Sequence, residues 1–317
     1  MSKFVTTSVK KRYAITGLTE LEVEIPNNNF ISEVKCLLSG LGHASQTALT
    51  MGLAISKVEF IGDGEVFKRL NGRDCRAIQV KRRHMQPNIK TSTTTSVETW
   101  LEFSLLFGKI KDDTQYIFPA KLFKDVRVRF EFNATNLGYF TTASYLDVEI
   151  REMISDEPAG NKIILKDLRF KQETAATGEF FEKLPMGEVL EDVKLYFSVI
   201  GANEHDYISL EVDSGKIIPF KSTIIKMIGQ NESDFNLDTL AKGELVASGY
   251  LTTAHIFMNL PETIDTKNLD EVRIRTPRTA STTLEVLVST LKYPSGESPN
   301  ISDSQGSYRL TPPYAVG

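Results

Sequence analysis

The sequence has little of what most enzymes and metal sites require. It contains two cysteines, Cys36 and Cys75, and four histidines in 317 residues. Neither set has the spacing of a zinc site or of a disulfide framework. The sequence also contains no nucleophile elbow, no phosphate-binding loop and no His-Glu-x-x-His motif. We therefore expect a protein without a catalytic centre, whose two cysteines are buried free thiols.

Long apolar runs are also missing. The opening residues Met1–Thr7 lack the apolar core of a signal peptide, and no run approaches the ~18 residues that span a bilayer. The net charge is only −4, which is too small to indicate nucleic acid as a partner. We expect a soluble protein made in a reducing cytoplasm, without sequence-specific contacts to nucleic acid.

The dominant pattern is strict alternation of apolar and polar residues. Segments 20–25, 125–132 and 146–151 each place an apolar residue at every second position. Strands with one buried and one hydrated face have this period, so the fold class is all-β with antiparallel sheets. Helical patterns are short, over 72–84 and 222–228, with a turn at 237–240.

Four segments of the first half recur in the same order in the second half. Segments 33–39, 59–67, 125–129 and 146–150 match segments 192–198, 210–218, 271–275 and 284–288. Because alternating strands resemble each other by chance, one match means little, but four in one order indicate an internal duplication. Each half then has enough strand candidates for an eight-stranded antiparallel jelly roll, so the chain is a double jelly roll with short helices in loops.

The strand candidates lie near 18–25, 32–40, 55–61, 64–69, 97–107, 115–118, 125–132 and 144–152 in the first half. Those of the second half lie near 163–170, 192–200, 207–213, 216–220, 245–258, 270–276 and 282–292, with one strand unplaced. A polar linker, Ser155–Asn161, separates the halves. We predict a basic N-terminal arm (1–16), a first jelly roll (17–157), a second jelly roll (158–293) and an extended C-terminal tail (294–317).

Carboxylates are the remaining candidates for chemistry. Asp112 and Asp113 lie in a predicted loop, and the glutamates of segment 20–24 lie on a hydrated strand face. Oxygen ligands in segment 231–234 and at Asp303 lack the regular spacing of a known calcium loop. We expect no cofactor, and only a structural Ca²⁺ is left open.

Two groups of basic residues have two interpretations each. The first, which we call the basic cluster, contains Lys68, Arg69, Arg73, Arg76, Lys81, Arg82, Arg83 and Lys90. The second is the N-terminal group Lys3, Lys10, Lys11 and Arg12, which precedes the first acid of the sequence. Such charges commonly form solvated or salt-bridged surfaces, but they also suit an anionic partner such as phospholipid headgroups or packaged nucleic acid. We predict that the N-terminal group faces the membrane or the interior of a shell.

A family resemblance begins in the block Ile55–Ile78, a predicted strand, tight turn, strand and helix. The block resembles a segment in the first jelly roll of double-jelly-roll major capsid proteins from tailless icosahedral phages with an internal membrane. The run from Trp100 to Phe132, with Ile117-Phe118-Pro119-Ala120 before a strand, is similar to the same family. With the duplication, the resemblance extends over about residues 17–293.

The resemblance implies a structural major capsid protein rather than an enzyme. In the family a homotrimer of two-jelly-roll chains forms a pseudo-hexameric capsomer, which contacts neighbouring capsomers, other virion proteins and the internal lipid membrane. It implies a virion location after synthesis in the host cytoplasm.

Two alternatives remain from the residues themselves. One is a carbohydrate-binding or glycosidase β-sandwich protein, although the single tryptophan, Trp100, lies inside a predicted strand. The other is a cytoplasmic scaffold or adaptor of sandwich type.

Overall fold

The computed structural model describes residues 3–42, 48–84, 88–90, 96–137, 140–175, 177–198, 206–234, 254–258, 260 and 263–294. The first half contains the strands β1 (Lys3–Ala14), β2 (Glu20–Glu24), β3 (Phe30–Gly42), β4 (Ile55–Gly62), β5 (Glu65–Leu70), β6 (Ile89–Lys90), β7 (Glu98–Leu106), β8 (Val126–Phe132) and β9 (Phe140–Ile154). Its helices are α1 (Ala48–Leu53), α2 (Gly72–Arg83) and α3 (Ala134–Leu137).

The second half contains the strands β10 (Ile164–Ala175), β11 (Gly178–Lys183), β12 (Val189–Phe197), β13 (Tyr207–Val212), β14 (Ile217–Thr223), β15 (Ala254–Phe257), β16 (Ile264–Asp265), β17 (Val272–Arg278) and β18 (Thr282–Lys292). Helix α4 (Ile224–Asp234) follows β14 as α2 follows β5. Among the described residues, no helix has the length and hydrophobicity needed to cross a membrane.

Alternation in the sequence becomes alternation in burial. In β8 the apolar residues Val126, Val128 and Phe130 are buried, while Arg127 and Arg129 between them face outward. The predicted all-β fold class is confirmed, and the apolar faces of two sheets meet in the core of each half.

The two halves have the same strand order. In the first half, the sheets are β1-β9-β3-β7-β6 and β2-β8-β4-β5; in the second they are β10-β18-β12-β15 and β11-β17-β13-β14. Apart from β6 and the short β16, which pairs with β12, each strand has a counterpart at the same place in the other half. The predicted double jelly roll is therefore confirmed.

The duplication extends to the residue register. Val34 of β3 lies opposite Ile150 of β9, and Val193 of β12 lies opposite Val288 of β18, as the sequence matches require. Ion pairs on the outer faces are repeated as well. Arg129 contacts Glu20 at 2.8 Å in the first half, and Arg275 contacts Glu179 at 2.9 Å in the second.

One sequence match is displaced by a residue. The turn between β13 and β14, residues 213–216, is two residues longer than the turn 63–64 between β4 and β5, and Asp213 rather than Ser214 is the counterpart of Asp63. Both aspartates have a positive φ, and their carboxylates accept backbone N–H bonds from the segment before the next strand, Asp63 from Lys124 and Asp213 from Asp270. The match of segments 59–67 and 210–218 is therefore out of register by one residue on each side of the turn.

The first strand begins earlier than predicted. Residues 3–14 are β1, which pairs antiparallel with β9 along its length, so the prediction that residues 1–16 precede the first strand is wrong. The charges of this segment misled the prediction, because an edge strand keeps one face and one edge in water. The unplaced strand of the second half is β11 at Gly178–Lys183.

Segment 115–118 is not a strand. It makes two isolated bridges to different partners, Tyr116 with Ile163 and Phe118 with Ile31, and Pro119 then ends the extended run. Phe118 lies inside an aromatic cluster with its ring 4.7 Å from that of Phe60. Ile117 and Phe118 of this segment are buried, but they fill the core from a loop.

Both predicted helices over 72–84 and 222–228 are confirmed as α2 and α4. The predicted turn at 237–240 and nearly all of the predicted tail, residues 295–317, lie outside the described residues. The predicted linker connects β9 to β10, and the exact boundaries of the two jelly rolls stay a prediction.

Candidate assembly site between the two halves

The two halves share one sheet at the edge where they meet. Strand β5 of the first half pairs in parallel with β10 of the second, through Lys68 with Asp167 and Arg69 with Leu168. This joint merges β2-β8-β4-β5 with β10-β18-β12-β15 into a nine-stranded sheet that includes β16. The halves are therefore held together by backbone pairing as well as by side chains.

A fully buried carboxylate lies at the joint. Asp167 accepts hydrogen bonds from Lys68 at 2.5 Å, from both guanidinium Nη atoms of Arg82 at 2.7 and 3.0 Å, and from Ser289 at 2.6 Å. Burial by itself raises the pKa of Asp167, but Arg82 and Lys68 outweigh that effect and hold its pKa well below the ordinary value. Desolvation lowers the pKa of Lys68 to about 8, although Asp167 opposes the shift.

Helix α2 carries the second ionic group of the joint. Asn71 and Asp74 form a capping box at its start, and the same Asp74 carboxylate binds Lys194 and Arg169 of the second half. Burial lowers the pKa of Lys194, and Asp74 opposes this. A helix start built from first-half residues is thus fixed to the sheet of the second half.

Arg73 extends the contact along the same sheet. Its guanidinium donates a hydrogen bond to the Tyr196 hydroxyl at 2.6 Å and lies 4.2 Å from the Tyr196 ring centroid. Arg169, already bound to Asp74, reaches Glu285 at 2.9 Å. We call these contacting residues of the two halves the ionic seam: Lys68, Asn71, Arg73, Asp74, Arg82, Asp167, Arg169, Lys194, Tyr196, Glu285 and Ser289.

The salt-bridging interpretation of the basic cluster is confirmed for most of its members. Besides the seam contacts, Lys81 binds Asp192, Arg83 contacts Glu33 at 3.3 Å and Arg69 contacts Glu59 at 2.8 Å. Arg76 donates a hydrogen bond to the Glu102 carbonyl oxygen at 2.6 Å. These charges bind the protein's own acids and carbonyls, so the structure gives no support to the anionic-partner interpretation.

Sequence reasoning missed the acids of the seam because they lie far along the chain. Of the seam acids, Asp167 and Glu285 come from strands of the second half, and so does Asp192, the partner of Lys81. One signal was present, since segment 166–169 (Lys-Asp-Leu-Arg) breaks the alternating pattern and places charges on both faces of a strand. A strand with charge on both faces indicates that a polar contact covers one of them.

The N-terminal basic group is not one patch. Lys3 lies at one end of β1, and Lys10, Lys11 and Arg12 lie at the other, about 23 Å away at the usual rise per residue. Arg12 also lies 4.6 Å from the Tyr145 ring centroid, and its backbone N–H donates to Asp147. The structure therefore does not bring the four predicted residues together.

The candidate catalytic carboxylates have structural contacts. Arg151 donates to both oxygens of Asp112, and this hydrogen bonding lowers the pKa of Asp112, the opposite of what a general acid needs. Asp113 accepts backbone N–H bonds from Lys109, Gln115 and Tyr116, which fixes the loop. Over the part of the chain that the structure describes, no three His, Cys, Asp or Glu residues form a group that could hold a metal ion.

Trp100 and one cavity are the remaining candidates for a ligand site. The Lys90 ammonium covers one face of the Trp100 ring, 4.6 Å from its centroid. A cavity of about 350 Å³ beside the seam is lined in part by Lys81, Lys109, Glu191 and Asp192. Its charges bind each other, with Lys109 at 2.6 Å from Glu191 and Lys81 bound to Asp192.

Both cysteines are free and buried, as predicted. Burial raises the pKa of both the Cys36 and the Cys75 thiol above the ordinary value. Neither thiol has the lowered pKa of a reactive cysteine.

No protein-family model matches the sequence, and no curated protein sequence matches it. Solved structures do match the fold. The major capsid protein of Sulfolobus Turreted Icosahedral Virus has a TM-score of 0.71 at 13% identity, with 92% of this chain and 98% of that chain covered. The major capsid protein of bacteriophage PM2 has a TM-score of 0.62 at 11% identity, with 95% and 99% covered.

A third match is a capsid chain of the virus PBCV-1, with a TM-score of 0.58 at 7% identity and 92% and 94% of the chains covered. These matches span both halves of the chain in every case. The chain therefore has the double-jelly-roll fold found in viral major capsid proteins.

Proposed function

We propose that this chain is a structural major capsid protein, a tile of an icosahedral virion shell. The observation that carries the proposal is the pair of jelly rolls with one strand order, fixed to each other by a buried ionic seam. A shell tile needs a rigid body with repeated edges, and two jelly rolls joined by a shared sheet meet that need. The extended fold similarity to capsid chains supports the same role.

We propose a homotrimer as the assembled unit. Three chains with two jelly rolls each give six similar modules, which form a pseudo-hexameric capsomer while the true symmetry stays threefold. Such capsomers would contact one another and other virion proteins. Burial of well over ~2,000 Å² is expected for an obligate interface of this kind.

The membrane and host context belongs to the proposal as well. A shell around an internal lipid membrane, as in the phages that the sequence resembles, would give the group Lys10, Lys11 and Arg12 an anionic surface, at ~1 kcal/mol per charge near it. Lys3 lies at the opposite end of β1, so only one of the two groups can face a membrane if the strands stand upright in the shell. A non-enzymatic role and synthesis in the host cytoplasm complete the proposal, and a structural Ca²⁺ remains a prediction.

Light scattering with negative-stain microscopy tests the proposal. The purified chain should have three times the 35.5 kDa mass of one chain across a wide dilution series, and the particles should look hexagonal in projection. Adding EDTA during the same series tests the calcium prediction. A stable monomer at all concentrations, or saturable glycan hydrolysis by the pure protein, would contradict the proposal.

A further inference from the structure

We propose that β14 and the exposed face of α4 in one chain dock on β1 and the outer face of the β1-β9-β3 sheet in a second copy of the chain. The inference rests on the trimeric capsid role proposed above and names the surfaces that join the subunits. It follows from the duplication, because the two halves of each chain already make an equivalent contact with each other.

That internal contact is the ionic seam with its strand joint. Strand β5 pairs with β10, while α2 lies on the outer face of β10, β18 and β12. By strand order β14 is the counterpart of β5, and β1 is the counterpart of β10. Among the described strands, β14 and β1 each have a neighbour on one side only. The edges of β5 and β10 thus pair with each other inside the chain, whereas the equivalent edges of β14 and β1 can pair with a second chain.

The register fixes which residues would meet. Thr7 lies opposite Ile150 as Leu168 lies opposite Val288, and both β1 and β10 have a bulge at the same place, after Ser8 and after Arg169. Phe220 lies opposite Leu210 as Lys68 lies opposite Phe60. The internal pairs Lys68–Asp167 and Arg69–Leu168 therefore correspond to Phe220–Thr6 and Lys221–Thr7 between chains.

Helix α4 repeats the burial pattern of α2. It begins directly after Thr223, as α2 begins directly after Asn71. Met227 and Ile228 are buried beneath α4, as their counterparts Cys75 and Arg76 are buried beneath α2. Ile225 and Lys226 are exposed, and they occupy the positions at which Arg73 and Asp74 contact the second half.

The residues on the two proposed surfaces differ from the internal ones in a matched way. Where Arg73 meets Tyr196, the counterparts are Ile225 and Leu37, so a cationic and aromatic contact becomes an apolar one. Where Lys68 meets Asp167, the counterparts Phe220 and Thr6 are both uncharged. Neither substitution would leave a buried charge without a partner, which is the costly outcome at an interface.

Charge is exchanged at one further position. In the internal contact, Asp74 of α2 binds Lys194 of β12, and Lys194 lies opposite Leu287 of β18. The counterpart of Asp74 is Lys226, that of Lys194 is Lys35, and that of Leu287 is Glu149. At the proposed contact, α4 therefore carries a cation, Lys226, where α2 carries an acid, and the sheet carries an acid, Glu149, beside Lys35. Lys226 of one chain would thus meet Glu149 of the next, while Lys35, which stands where Lys194 does, is bound to Glu102 at 2.9 Å.

The proposed strand pairing is short. Pro219 precedes Phe220 and has no N–H to donate, so a ladder could not extend past it in that direction. The internal ladder between β5 and β10 likewise contains only two residue pairs. A donor and an acceptor surface on each chain make the contact heterologous, and such contacts close into rings when the rotation fits.

Charge reversal is a first measurement. Lys226→Glu and Glu149→Lys should each raise the concentration at which half of the trimer dissociates by about tenfold or more, because like charges would meet. The double variant, Lys226→Glu with Glu149→Lys, should return that concentration to near the wild-type value. Single variants that dissociate like the wild type would overturn the inference.

Cross-linking tests the contact itself. The variant Thr7→Cys/Lys221→Cys is treated with a short bis-maleimide, to which the buried Cys36 and Cys75 are not accessible. The matched control is Thr7→Cys/Lys183→Cys, since Lys183 lies on β11 at the opposite edge of the β14 sheet. We expect covalent dimers and trimers, with no larger products, from the first variant and uncross-linked chains from the control.

Two outcomes would contradict the inference and can be told apart. If the Thr7→Cys/Lys221→Cys variant is a trimer by light scattering but does not cross-link, the docking surfaces are wrong and the capsid role stands. If this variant and the wild-type chain are both monomers, the capsid proposal fails together with the inference.

Discussion

At the scale of single residues, Asp167 decides how firmly the two halves are joined. It is fully buried, and two cations and a hydroxyl donate to it. A buried ion pair contributes little relative to an apolar contact of the same shape, but removing one partner is costly because the other charge stays buried. Removing one partner of the seam should therefore be severe.

The variant Asp167→Asn tests this. It leaves Lys68 and Arg82 without their carboxylate, and we expect it to reduce the free energy of unfolding by ~3–5 kcal/mol. The control is Glu22→Gln, which removes an exposed ion pair with Arg127 at 3.0 Å and should cost less than ~1 kcal/mol. Denaturant unfolding of both variants gives the comparison, and equal small losses would contradict the structural role of Asp167.

Acid should act on the same carboxylate. The pKa of Asp167 is lowered in the folded chain, so its contribution to stability is complete above the ordinary pKa of about 3.9 and is lost as pH falls below that value. All other carboxylates are present in both the wild type and Asp167→Asn, so the effect of their protonation on Tm cancels when the two proteins are compared. We therefore expect the difference in Tm between the two proteins to shrink from pH 5 to pH 3, and a constant difference would contradict the assignment.

At the scale of elements, helix α2 is fitted closely to the first half. A Cβ atom on Gly72 would lie 2.4 Å from the Gly52 carbonyl oxygen, so the end of α1 and the start of α2 need a glycine at their contact. The α4 helix has no such restriction at Gly229, where an added Cβ would meet nothing within 4 Å.

These two glycines give a prediction of opposite sign. Gly72→Ala should destabilise the protein by ~1–3 kcal/mol through the backbone clash. Gly229→Ala should stabilise it by ~0.5–1 kcal/mol, because alanine is the better helix former where space allows. Thermal unfolding of the two variants measures both. A neutral or stabilising Gly72→Ala would show that the contact between α1 and α2 is not tight, and a destabilising Gly229→Ala would contradict the open space at Gly229.

The strands that the sequence predicts correctly are those with one face buried in the core. Strands such as β8 have one face in the core, so their alternation is visible in the sequence. The prediction failed at β1, whose exposed edge and charges resemble a free arm, and at segment 115–118, where Phe118 reaches the core from a loop. Both failures have one cause. The pattern of apolar residues indicates which side chains are buried, but it does not indicate which strand pairs with a given segment.

At the scale of the whole molecule, the duplication was the most informative feature of the sequence. Four short matches placed β3, β8, β9 and the β4–β5 hairpin opposite their counterparts, and the fold repeats them in the same order. The joint between the halves could not be predicted, because it depends on parallel pairing of β5 with β10 and on Asp167 and Asp74, which are distant from their partners in sequence. The N-terminal basic group was predicted as one surface, but β1 separates Lys3 from the rest.

A cryo-electron microscopy reconstruction of the purified oligomer would show both kinds of joint at once. We expect a threefold particle with six jelly rolls in a ring, in which the joint between β5 and β10 inside a chain alternates with a similar joint between β14 and β1 of neighbouring chains. A monomer, a twofold dimer, or a ring in which β14 and β1 face solvent would contradict this expectation.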